Sequence, residues 1–350
     1  MKNNRNKTID FLKLALSIIV LIYHITINID GMNLFPRGLL AVDFFFIVSG
    51  YLFYNSVIKK DDKEESIYKQ NISFIWKKLK LFYPLVFVGT LECLIARIII
   101  DNIKIHTILN SIFTFSLVHM SGLPLSKINN VTWYISVMLM TMFIMFPIIK
   151  KNKDKYINYI CPIILILGFG LFNKYFHNFN ELLDYNFVYN GFLRGFLEIN
   201  LGCLACHISS WIKNKEFTKL AKILATITEV LGYIFFGLMM CTTNEKIDLF
   251  LVLVITVAII ISFSKLSYTE HIFSKLSFKN MDKLSLSIYC NHIFIITILI
   301  FYNTQLKLSS IELTILILVI SIIYSYLVMI FVDKSMKKKY FNKLKNLLIK

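Results

Sequence analysis

The sequence predicts an all-α protein that crosses a membrane about ten times, with both termini in the cytoplasm. Three observations lead there. The chain has 350 residues, 57% of them hydrophobic and 15% aromatic, and its mean hydropathy of +0.65 is too high for a water-soluble fold of that size. Its apolar residues fall in runs of about 20, the length at which a helix spans the hydrocarbon of a bilayer. Its lysines and arginines are dense in every second connecting segment and sparse in the others. No linker rich in Pro, Gly or Ser divides the chain, so residues 1–350 read as one integral-membrane domain that ends in a basic tail, 333–350.

The ten windows are Thr8–Asn28, Gly38–Ile58, Leu81–Ile100, Val131–Ile149, Ile157–Phe172, Gly191–Ile212, Ala221–Cys241, Ile247–Phe263, Leu284–Phe301 and Ile311–Val332. The fifth and eighth are short. No small-x-small cleavage site follows the first, which reads as a signal anchor. The amphipathic stretch Ile105–Met120 is expected to lie on the interface or to re-enter the bilayer. Charge tests the count. With the N-terminus inside, the inner segments carry 28 Lys and Arg and the outer loops six, while Lys13, Arg97, Arg194 and Lys222 lie within spans. A wrong number of spans would scramble that alternation. The tail lysines Lys337, Lys338, Lys339, Lys343 and Lys345 are expected on anionic headgroups.

The net charge of +17 is therefore read as topological, and no nucleic-acid partner is expected. The six cysteines lie mostly inside apolar runs and suggest no disulfide framework. Cys203, Cys206 and His207 have the C-x-x-C-H spacing of c-type haem attachment. The predicted topology puts them near the cytoplasmic end of their helix, on the wrong side for that chemistry. Neither haem, a metal nor another bound cofactor is expected.

The first helix carries the chemistry. Asp10, Lys13, Ser17, His24 and Asn28 fall within roughly 60° of one another at about 100° per residue, and the other faces are Leu, Ile and Val. Such a stripe either packs against polar side chains of neighbouring helices or lines a substrate path. An imidazole in the outer third of a span is costly, and intramembrane ionisable groups point to function. Its near-neutral titration suits a group that accepts and returns a proton, so His24 is the candidate base. Asp43 stands five residues from the outer end of the second window and His24 four from that of the first, a difference in depth of about 2 Å. Asp43 is expected to orient the imidazole and stabilise its protonated form, the alternative being that it caps or pairs elsewhere. Ser49–Gly50 permits close helix approach.

Lys77 and Lys80 are three apart, on one face at the cytoplasmic surface. They suit phosphate groups or are ordinary positive-inside charge. Arg194 and Glu198 are four apart and can pair, as a structural ion pair or as an acceptor site. Glu92 and Arg97 read as structural, with Arg97 snorkelling outward. His292 lies near the middle of the ninth window, and His106 and His119 are expected to face water or the interface. A transporter or flippase of a small polar molecule would also use a polar stripe. The basic site, the His–acid pair and the absence of a visible internal repeat favour an enzyme.

These stretches resemble a known family. "RNKTIDFLKLALSIIVLIYH" is similar to the opening of the integral-membrane acyltransferase family 3, which includes O-acetyltransferases of O-antigen, peptidoglycan and other surface glycans. Arg5, Asp10 and His24 carry the likeness, with Lys13 where the family prefers Arg. "GLLAVDFFFIVSGYLF" resembles its second helix through Gly38, Val42, Phe45, Phe46, Ser49, Gly50 and Tyr51. "WKKLKLFYP" resembles its basic motif before a proline, "TWYISVMLM" its W-[SY]-[LI]-S helix through Trp133 and Ser136, and "SLSIYCNHIFII" its late segment through Ser287, Tyr289 and His292. The likeness covers most of the chain. Lysines replace both arginines of the basic motif and so lose the bidentate fork, the spacing to Pro84 differs by one, and Met138 stands where an acid is common. The chain is read as the membrane core only, without the soluble C-terminal esterase-like domain that some members carry.

The resemblance implies an O-acyltransferase, of acetyl groups, in the plasma membrane of a bacterium. The donor would be cytoplasmic acyl-CoA, in particular acetyl-CoA, and the acceptor a hydroxyl of a cell-surface glycan or its lipid-linked precursor. Lys77 and Lys80, with Asp10 and Lys13, would bind the donor. Its pantetheine arm would follow the stripe to His24, about 24 Å along the helix from Thr8. His24 and Asp43 would be catalytic, and Arg194, Glu198, Trp133, Ser136, Tyr289 and His292 acceptor-binding or structural.

Overall fold

Backbone N–H and C=O groups in hydrocarbon must be satisfied within the protein, and a chain this apolar does so with helices. The computed structural model describes residues 6–59, 65–124, 126, 128–175, 189–243, 247–276 and 278–348, with residues 337–348 described by their backbone alone. The side chains of the tail lysines from Lys337 onward lie outside the described residues. The helices are α1 Lys7–Thr26, α2 Ala41–Lys59, α3 Ile67–Ile100, α4 Ile105–Phe115, α5 Trp133–Lys151, α6 Lys153–Lys155, α7 Cys161–Tyr175, α8 Asn190–Lys213, α9 Lys219–Met239, α10 Asp248–Ser264, α11 Thr269–Ser274, α12 Met281–Leu306 and α13 Ser310–Leu348. A π turn, Tyr156–Ile160, joins α6 to α7. The protein is an all-α polytopic membrane protein. Among the described residues, eight helical stretches are long and apolar enough to cross a membrane. Of the remaining two windows, α8 is 24 residues long but carries Arg194 and Glu198, and α10 has 17 residues.

Helix starts follow local chemistry. The Asn6 side chain accepts from Ile9 N–H at 3.1 Å and caps α1, which satisfies one of the donors a helix N-terminus leaves open. The tightest crossing joins α2 and α8. A Cβ on Gly50 would lie 2.1 Å from Ile199 O, and one on Gly202 2.1 Å from Ile47 O. Only glycine at both places lets the two backbones meet. The helices run parallel, since Asp43 faces Arg194 and, further along both, the Ser209 hydroxyl donates to Tyr51 Oη at 2.9 Å.

Helix α12 is the hub of the other half. Ser285 Oγ donates to Lys13 O on α1 at 2.8 Å, and Ser287 Oγ to Ser325 O on α13 at 2.7 Å. Gly89 on α3 packs against Cys290 and Asn291. The segment after α4 turns into this bundle. Leu117, His119, Met120, Ile128, Asn129 and Val131 are buried, Met120 N–H donates to Ser136 Oγ at 3.4 Å, and Asn129 Nδ2 donates to Cys290 O at 3.1 Å. Helix α4 itself leaves Ile105, Leu109 and Ile112 exposed, while the end of this stretch packs into the bundle. His119 is thereby buried rather than facing water, a correction to the sequence reading, while His106 is exposed.

Candidate active site

His24 is held by its own helix. Its Nδ1 lies 2.8 Å from Val20 O, one turn back. A carbonyl oxygen only accepts, so Nδ1 carries the hydrogen, and in the neutral ring Nε2 holds the lone pair. The residue is part-exposed, and Nε2 makes no hydrogen bond among the described residues. His292 on α12 has the same arrangement, with Nδ1 2.9 Å from Ile288 O. Its Nε2 comes within 3.4 Å of His24 Nδ1, and the ring centroids are 5.0 Å apart. Around the two rings stand Tyr23, whose centroid is 5.0 Å from His24, and Tyr289, 6.3 Å from His292. Tyr289 leads on to Tyr134 at 5.8 Å and Phe45 at 6.1 Å. The Tyr134 hydroxyl is 2.7 Å from Ser49 Oγ.

Asp43 does not hold His24. Its carboxylate accepts from Arg194 Nε at 2.8 Å and is ion-paired with the same guanidinium through Nη2. Arg194 Nε also reaches Glu198 Oε1 at 3.2 Å. All three side chains are buried. The physical reason is competition: a permanent cation delivered by the parallel helix α8 outbids an imidazole on α1, because a charge-assisted pair is stronger than a bond to a neutral ring. The depth argument gave Asp43 the wrong neighbour, and the alternative, that it pairs elsewhere, holds. The pairing of Arg194 with Glu198 is present, with Asp43 as the third member.

The basic cluster is also turned. Lys77 and Lys80 are exposed, and the Lys80 ammonium lies over the Trp76 ring, 5.7 Å from its centroid. The lysine that faces inward is Lys78, half-buried, with its ammonium 5.5 Å from the Phe74 centroid and Lys13 as its electrostatic neighbour. Asp10 and Lys13 are part-exposed on α1. Ser17 turns back on its helix to Leu14 O at 2.8 Å, and the Asn28 amide donates to His24 O at 2.7 Å. Two positions of the stripe meet α12, the Lys13 carbonyl at Ser285 and His24 at His292.

Trp133 packs against Phe46 at 5.4 Å and beside Gly191, and Ser136 Oγ accepts from Met120 N–H. Cys203 and Cys206 are buried, Cys203 directing its sulfur to Gly50 O at 3.6 Å, while His207 is exposed. Arg97 pairs with Asp101 at 3.2 Å, and the Tyr324 hydroxyl donates to Glu92. Sequence reasoning missed Arg37, buried and ion-paired with Asp248 while also donating to Met239 O at 3.4 Å and Thr242 Oγ1 at 3.3 Å. It missed Glu229 too, which accepts from Ser262 and Thr269. A buried-charge count along the windows would have flagged Glu229, since each such group demands a partner.

A family model described as an acyltransferase domain matches residues 6–333. No curated protein and no solved structure matches the chain.

Proposed function

The chain belongs to the integral-membrane acyltransferase family 3, and from that premise we propose that this membrane acyltransferase is an O-acetyltransferase. It takes the acyl group from cytoplasmic acetyl-CoA and gives it to a hydroxyl of a cell-surface glycan or a lipid-linked precursor, in the plasma membrane of a bacterium. The observation that carries this reading is the hydrogen bond from His24 Nδ1 to Val20 O at 2.8 Å, which leaves Nε2 as the basic atom in a part-exposed position.

In the proposed reaction Nε2 accepts the hydroxyl proton of the acceptor. The oxygen attacks the thioester carbonyl carbon and a C–O bond forms. The C–S bond then breaks, and the proton passes from Nε2 to the departing sulfur, so that acetyl ester and free CoA result. The base is regenerated and no net proton is released. Lys78 and Lys13 would hold the donor phosphates at the inner end, with Lys77 and Lys80 at the approach, each as a point charge. Asp43 serves the site indirectly, by fixing Arg194 and Glu198 in the wall between α2 and α8.

The test is release of free CoA thiol by purified protein in nanodiscs given acetyl-CoA, with mass spectrometry of surface glycans from cells with and without the gene. Thiol release that rises with added envelope glycan, together with O-acetyl groups that depend on the gene, supports the reading. Passage of a polar solute into liposomes without acyl-CoA, and no thiol release, would favour the transporter alternative instead.

A further inference from the structure

A catalytic imidazole needs a partner that fixes its tautomer and offsets the charge it gains, and Asp43 is committed to Arg194. We propose that His292 takes that place, as a positioning residue that accepts from His24 Nδ1–H and steadies the imidazolium formed during transfer. The inference rests on His24 being the base. Three features carry it. His292 donates its own Nδ1–H to Ile288 O at 2.9 Å, so its Nε2 holds a lone pair. That lone pair faces His24 Nδ1 at 3.4 Å, where the hydrogen is already directed at Val20 O, so the two acceptors share one donor. And His292 is 0% exposed whereas His24 is part-exposed. Only the first-helix ring is placed to touch a substrate, and the second stands behind it.

The arrangement differs in kind from a carboxylate-backed histidine. Two neutral rings give a site with no net charge before the reaction. Once Nε2 accepts the acceptor's proton, the ring becomes cationic and its Nδ1–H a stronger donor, so the bond to His292 strengthens in the transition state. An interaction of that type acts on kcat and leaves KM little changed. The counter-charge during the step is the developing oxyanion of the substrate itself.

The experiment uses the purified full chain in nanodiscs, with acetyl-CoA plus a whole-envelope glycan extract, at matched size-exclusion profiles. His292→Phe fills the volume without an acceptor, and His292→Leu is the second acceptor-free variant should the ring not insert. His292→Gln returns an oxygen to the place of Nε2. The acceptor-free variant is expected to lose about 10- to 100-fold in kcat, with KM for acetyl-CoA within about twofold, and His292→Gln to regain most of it. Wild-type kcat in His292→Phe or His292→Leu, a loss confined to KM, or equal impairment in His292→Gln would each overturn the proposal. His24→Ala runs in parallel. If it is inactive while His292→Phe is not, only the role of His292 falls; if it is active, the base assignment falls and this inference with it.

Discussion

Replacing Arg194 with methionine would expose how the buried ion cluster is balanced. The guanidinium has no exposed side-chain surface, and its Nε stands 2.8 Å from Asp43 and 3.2 Å from Glu198. Methionine keeps much of the stem and none of the donors, so two carboxyls would be left facing each other without a cation. Breaking a buried pair in this way costs about 3–5 kcal/mol. Asp43→Asn is milder, because Glu198 remains as counter-ion and an amide oxygen still accepts, and is expected to cost about 1–3 kcal/mol. The triple variant Asp43→Asn, Arg194→Met, Glu198→Gln removes every charge at once and should recover much of the loss, since neutral replacements of buried ion clusters are often tolerated. Thermal unfolding in detergent, followed by a thiol dye that reaches the buried cysteines on opening, ranks the variants. The expected order of Tm is wild type, then Asp43→Asn, with Arg194→Met lowest and the triple variant above it. An Arg194→Met protein with wild-type Tm, or a triple variant less stable than Arg194→Met, would refute the reasoning.

Two other outcomes follow from packing and charge. Gly202→Ala sets a methyl group 2.1 Å from Ile47 O, so α2 and α8 must separate; a loss of about 1–3 kcal/mol is expected from such overpacking, read as a lowered Tm, and an unchanged Tm would show that the crossing is looser. Lys78→Gln should raise KM for acetyl-CoA about tenfold or more, while Lys77→Gln changes it little, because the inward ammonium lies next to Lys13 and the outward one is exposed. Steady-state kinetics separates the two, and equal effects would return the donor site to the outer pair.

The helices were legible because hydrocarbon leaves the chain no alternative, and every apolar window coincides with helix. His24 was legible for the same reason, as a costly group in an apolar run. What linear sequence does not carry is which helices become neighbours. Asp43 finds its cation 151 positions away and His24 its partner 268 positions away, and a depth counted along one helix does not say which other helix stands beside it. Helical phase misled in the basic cluster. Lys77 and Lys80 do share a face, but apolar residues surround that stretch of α3, so no stripe in the sequence marks its inner side, and Lys78 proved to be on it. The burial of the segment after α4 hung on contacts made by Met120 and Asn129 with α5 and α12, which an amphipathic pattern does not carry.

The most direct measurement is the rate at which His24→Ala, reconstituted in nanodiscs, releases CoA thiol from acetyl-CoA, set against binding of acetyl-CoA to the same protein. With Nε2 as the proton acceptor, turnover should fall by about 100-fold or more while donor binding stays within about twofold of wild type. Turnover within a few-fold of wild type would place the base elsewhere.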